Sequence, residues 1–225
     1  MKKLILIVAI LSVIALVFAA DAVALLSASK GKVNLERASK DIKFKTGELL
    51  ENKDLIRTGA ESFAAYKYVD GSSTIKVFSN SVVSVNATQG TGTLAKRVNV
   101  NKGSVLAQVK SGTGAFTVQT PTTVASVKGT EFFTKVDDLG NSLFVVTDGE
   151  VEVKVLSTDE TASVPAGKTA SISADGEIEV RESTEDDTSA VEKEETQSSQ
   201  NTQPKQMRVP VLDTTGRTRY IEITY

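Results

Sequence analysis

Residues 120–136 read TPTTVASVKGTEFFTKV, a mixture of proline, small residues, a Lys-Gly-Thr-Glu turn and paired phenylalanines that decides the fold. Thr120-Pro121 ends a strand, because proline donates nothing to a ladder and keeps the residue before it extended. Val124 to Val127 opens the next strand. Gly129 inside an otherwise β-rich run predicts a bulge or a close approach by another backbone. A bulge would disturb the alternation of faces and bring Lys128 beside Glu131, as a buried or half-buried ion pair or as a solvated pair at a strand bend. Consecutive phenylalanines on a strand point to opposite faces, so one of Phe132 and Phe133 is expected in the core and the other at the surface.

Outward from this stretch the chain is strand after strand. Val151, Val153 and Val155 alternate with Glu150, Glu152 and Lys154, a period of two that buries one face and wets the other. The same period recurs at Ile75 and Val77, Val83 and Val85, Val98 and Val100, and Val105, Ala107 and Val109. Asp70-Gly71, Lys102-Gly103, Gly112-Thr113-Gly114, Asp148-Gly149, Ala166-Gly167 and Asp175-Gly176 punctuate the runs as turns. No helical period shows between residues 23 and 180, so that span is expected to be one all-β domain: a sandwich, a roll or a short β-solenoid.

Several segments, in order, resemble the FecR family, a bacterial cell-envelope domain. They are LLENKDLIRTG (49–59), VDGSSTIKVFSNSVVSV (69–85), VNKGSVLAQV (100–109), TPTTVASVKGTEF (120–132), VVTDGEVEVKV (145–155) and VPAGKTASI (164–172). The likeness runs from about Ser27 to Val180. It implies an exported binding or sensing domain, with Lys128, Gly129, Thr130, Glu131 and Phe132 as a structural or partner-binding motif. Regulators of this family contact a sigma factor through a cytoplasmic segment ahead of a membrane helix. Only Met1 to Lys3 precede the apolar run here, so direct sigma-factor control is not expected.

That apolar run, Leu4 to Ala20 after Lys2 and Lys3, reads as a secretory signal occupying residues 1–22, with Ala20-Asp21-Ala22 as the cleavage region. The minority alternative is an uncleaved anchor touching the membrane through residues 4–20. Either way the body is expected in the periplasm or outside the cell, since the lysines hold their end in the cytoplasm. Residues 181–205 carry one bulky aliphatic, Val191, and an acidic excess, which predicts a disordered solvated linker. Residues 206–225 read as a C-terminal β-hairpin, with Ile221, Ile223 and Tyr225 sharing a face.

Composition removes whole classes of chemistry. A formal charge of −2 shows no basic excess for nucleic acid. The chain has no cysteine and no histidine, which eliminates disulfides, thiolate nucleophiles, Ser-His-Asp triads and the usual zinc sets. Ser27 and Lys30 fit S-x-x-K and Lys45-Thr46-Gly47 fits K-T-G, but that chemistry needs its serine at the start of a buried helix, and Ser27 precedes a turn and an alternating strand. Asp137 and Asp138 precede a turn, and Glu150 and Glu152 share a wet face, so both pairs read as solvated charges rather than acid-base partners. No catalytic, cofactor or metal residues are therefore assigned. Tyr66 and Tyr68 share a strand face and are the candidate partner surface, able to stack on a sugar or a peptide. The expected function is binding of an envelope protein or glycan, with a structural component assembling by strand addition as the alternative.

Overall fold

A computed structural model describes residues 22–89, 93–199, 206–212 and 218–224. The proposed signal segment, apart from Ala22, lies outside them. In chain order the first strands are β1 (Ala22–Lys30), β2 (Val33–Arg37), β3 (Lys40–Ile42), β4 (Leu49–Glu51), β5 (Asp54–Thr58), β6 (Phe63–Tyr68), β7 (Ser73–Val77) and β8 (Val82–Gln89). Then come β9 (Leu94–Val109), β10 (Phe116–Gln119), β11 (Thr123–Val127), β12 (Thr130–Val136), β13 (Ser142–Asp148), β14 (Glu150–Val155), β15 (Thr161–Pro165), β16 (Lys168–Ile172) and β17 (Ile178–Glu182). A helix, α1 (Glu185–Ser199), follows, and β18 (Gln206–Leu212) pairs with β19 (Thr218–Thr224) as the antiparallel strands expected there.

The expected all-β fold is the fold observed, and its form is a sandwich. One layer, sheet A, runs β4-β1-β6-β7-β9-β12-β13-β16-β17, and the other, sheet B, runs β3-β2-β5-β8-β9-β10-β11-β14-β15. The long β9 belongs to both, pairing β8 with its first half and β12 with its second. Hairpins alternate between the layers: β10–β11 in B, β12–β13 in A, β14–β15 in B, β16–β17 in A. Every pairing is antiparallel except β9 with β10.

The period of two builds the core. Val83, Val85, Val98, Val100, Val151, Val153 and Val155 of sheet B meet Ile75, Val77, Val105, Ala107, Phe132 and Phe144 of sheet A, and none of them is solvent-exposed. Polar clamps pin the margins. Arg37 donates to both carboxylate oxygens of the fully buried Asp54, at 2.8 and 2.7 Å, and pairs with Glu51.

Residues 185–199 depart from the expected linker. They form α1, which crosses the outer face of sheet A, and the sequence carries a local signal for its start. Thr184 and Asp187 make a reciprocal cap: the Thr184 N–H donates to Asp187 Oδ2 at 2.8 Å, and the Asp187 N–H donates to Thr184 Oγ1 at 3.3 Å. Val191 then docks on a second apolar cluster of Phe63, Ala65, Phe78, Leu106, Phe133 and Val145. Composition spoke for disorder because α1 brings almost no apolar surface of its own; the sheet supplies it.

Candidate functional site

The motif lies where the chain turns from sheet B into sheet A. β11 ends at Val127 and β12 starts at Thr130, so Lys128 and Gly129 form a corner rather than a bulge inside a strand. Gly129 has φ +75°, and a Cβ on it would sit 1.9 Å from Ser111 Oγ and 2.9 Å from Ser111 Cα. The neighbouring corner repeats this: Gly149 has φ +79°, and its Cβ would lie 2.5 Å from the Gly129 carbonyl oxygen. Three successive crossings, 110–115, 128–130 and 148–150, therefore stack backbone on backbone, which only glycine permits at this distance.

The first of these crossings is held from inside. The Lys96 side chain is fully buried, and its ammonium donates to Asp70 Oδ2 and to the Thr113 carbonyl, both at 2.7 Å. Asp70 also accepts from the Ser72 N–H at 3.0 Å and from the Ser72 hydroxyl at 2.6 Å. Burial works against the Asp70 carboxylate, yet the hydrogen bonds from Lys96 and Ser72 prevail and hold its pKa below the ordinary value. One lysine thus locks the 110–115 loop to the β6–β7 turn.

Two grooves open on either side of this corner. The larger, about 700 Å³, lies on the sheet B side and is lined by Lys110, Gly112, Gly114, Lys128, Glu150 and Glu152 among others. The smaller, about 320 Å³, lies on the sheet A side between Lys67, Thr74, Gln108, Lys110, Glu131 and Asp148. Lys110 borders both. Thr130 is buried, and its hydroxyl donates to the Glu150 carbonyl at 3.1 Å, bridging the corner to β14.

The remaining sequence-assigned residues fall differently from expectation. Lys128 is exposed, and no ion pair joins it to Glu131. Glu131 instead accepts from Gln108 Nε2 at 2.8 Å, while its carbonyl accepts from the Thr147 hydroxyl at 3.0 Å. The irregularity falls between Glu131 and Phe132, in the register of β12 against β13, too late to bring Lys128 round. Phe132 and Phe133 do point to opposite faces, but both are buried: Phe132 inside the sandwich and Phe133 beneath α1.

Tyr66 and Tyr68 offer no partner surface. They are 0% and 1% exposed, on the inner face of β6, with their rings edge-on at 5.7 Å. The Tyr68 hydroxyl donates to the Asn86 carbonyl at 3.2 Å, and burial pushes its pKa well above the ordinary tyrosine value. Their shared face was read correctly; a period of two does not say which face looks inward. Lys110 and Asp148, on the groove rims, were missed as site residues, although each sits in or beside a glycine turn signal.

The FecR protein family model matches residues 54–152. That stretch holds the motif corner and every residue named on the two grooves. Two solved structures, each described as a "putative anti-sigma factor" from Parabacteroides distasonis ATCC 8503, share the fold at TM-scores of 0.52 and 0.51, with 16% and 18% identity. They cover 61% and 60% of this chain, and the chain covers 63% and 62% of theirs, less than two thirds of their own length. No curated protein matches. The resemblance read over Ser27 to Val180 therefore has its matched centre between β5 and β14, and residues 54–152 of this chain are a FecR domain.

Proposed function

We propose that this protein is an exported, non-enzymatic module of the bacterial cell envelope that binds a protein or glycan partner at the motif corner and takes part in envelope signalling. One observation carries the proposal. Two grooves meet at Lys110, and the rim charges Lys110, Lys128, Asp148 and Glu152 make no ion pair or side-chain hydrogen bond among the described residues. The buried charges elsewhere, Asp54 and Lys96, are tied into clamps. Charges left free on a rigid concave rim are suited to fixing a partner's orientation. The fold shared with two structures described as anti-sigma factors supports a part in signalling, and the Lys2-Lys3 apolar leader supports export.

A pull-down from envelope extract, with the full chain as bait beside a Lys110→Glu, Lys128→Glu double variant, tests this. Recovery of a protein or glycan by the parent chain and its loss with the variant is the expected result. Equal recovery by both would move binding away from the corner, and no recovery above background would remove the binding function.

The edges of the sandwich favour a second reading, a structural component that assembles by strand addition. β15 and β17 each pair on one side only among the described residues, and β18–β19 is a hairpin able to add to such an edge. Light scattering would show growth with concentration that vanishes on deleting residues 207–225.

A further inference from the structure

α1 covers the outer face of sheet A with the wrong chemistry on its inner side. The floor beneath it is Phe63, Phe78, Leu106, Phe133 and Val145, each 7% exposed or less. Against that floor α1 turns one aliphatic side chain, Val191, while Asp187 and Ser198 are buried and Glu194 is half-buried. Burial pushes the Glu194 carboxyl up from its ordinary pKa, against the help of the Ser104 hydroxyl and the charges of Lys135 and Lys193. Under the C-terminal turn the fit fails, leaving a cavity of about 330 Å³ between Phe63, Phe78, Glu194 and Ser198.

The rim around the floor is cationic, and there α1 fits well. Arg181 pairs with Asp187, Lys76 with Glu195, and Lys30 Nζ donates to the Gln197 carbonyl at 3.2 Å. α1 is thus held by its charges at the margins more than by packing in the middle, which is the construction of a segment that can leave.

We propose that the outer face of sheet A is a docking surface for an acidic amphipathic helix of a partner protein, with α1 as its exchangeable intramolecular occupant. The occupant's shape follows from the helix already seated there, its charge from Lys30, Lys76, Lys135 and Arg181, and its apolar stripe from the aromatic floor. A helix with leucine in place of Glu194 and Ser198 would keep the rim contacts, fill the cavity and avoid burying a carboxylate. This surface shares none of these residues with the corner grooves and does not depend on the function proposed for them.

The test uses the full chain and a labelled peptide of residues 183–199 carrying Glu194→Leu and Ser198→Leu. The peptide should bind in trans at least tenfold more tightly than its natural-sequence counterpart. Hydrogen exchange should then show the amides of 185–199 losing protection while β7, β9 and β12 keep theirs. The same two substitutions placed in the chain itself should weaken binding of the peptide at least tenfold, because the improved α1 no longer yields. Exchange of α1 only at the rate of the sandwich core would overturn the proposal, as would peptide binding that leaves α1 protected. Concentration-dependent exchange of α1 between copies would overturn it too, assigning the face to a second copy of this chain.

Discussion

Sheets A and B present similar valine-rich surfaces to each other and opposite ones to the outside. β14 of sheet B alternates strictly, with Val151, Val153 and Val155 buried and Glu150, Glu152 and Lys154 exposed. β12 and β13 of sheet A are buried on both faces through Phe132 and Phe133 and through Phe144, Val145 and Val146. A strand that is apolar on both faces must be covered on both, and a polar helix was recruited for the second cover. The face of sheet B needed none, which leaves it free to wall the larger groove.

Substitution tests that contrast most sharply. Phe133→Ala should cost about 3–5 kcal/mol in chemical denaturation, as expected for an aromatic removed from a packed interior. Glu152→Ala on the open face should stay within about 0.5 kcal/mol. Comparable costs would mean that the two outer faces do not differ as described.

The clamp at the corner comes next. Lys96→Met removes the charge facing Asp70 and the donor to the Thr113 carbonyl. About 3 kcal/mol of destabilisation is expected, the low end for a broken buried pair because Asp70 keeps some access to water. Limited proteolysis should then cut within 110–115, whereas an unchanged digestion pattern would show that the loop is held by other contacts.

Gly129→Ala probes the stacked corners. Its positive φ and the approach of Ser111 predict a loss of about 1–3 kcal/mol. A neutral effect on the melting temperature would show that the crossings can spread without cost.

Smaller effects than those of the clamp and the corner belong to α1. Thr184→Ala should cost about 1 kcal/mol through the lost cap, seen as faster hydrogen exchange in 185–199 and not in the strands. The Arg181 guanidinium, with the Thr184 bonds, holds the Asp187 carboxyl well below its ordinary 3.8. A depressed carboxylate pKa stabilises the folded state above the ordinary value, and the contribution is lost as pH falls from there towards the folded value. α1 should therefore loosen in acid before the sandwich does, and Asp187→Asn should loosen it already at neutral pH and flatten that dependence.

Much of the fold was legible because period-two burial is a local property. The valines at 151, 153 and 155 and at 98 and 100 are buried as their alternation required, Asp70-Gly71 falls between β6 and β7, and Asp148-Gly149 marks the junction where β13 ends and β14 begins, as their turn chemistry required. The candidate site was legible in part. The stretch around Gly129 proved to be a special backbone position, but the Lys128 to Glu131 relation was not readable, because it depends on where β12 slips against β13. α1 was hidden by an average over residues 181–205; the Thr184-x-x-Asp187 cap was the local clue, and its one-residue apolar contact was too sparse to register as a period.

By itself, the sequence determined the all-β class, most of the places where strands stop, and the exclusion of cysteine and histidine chemistry, since each depends on residue type and nearest neighbours; Lys102-Gly103, read as a turn, instead lies inside β9, where the strand passes from one sheet to the other. Only the tertiary structure decided that Tyr66 and Tyr68 look inward, that Phe133 lies under a helix, and that Lys110 stands between two grooves. Alternation separates the two faces of a strand without saying which faces water. That is settled by which sheet lies opposite and what covers its back, through contacts between residues far apart in the chain.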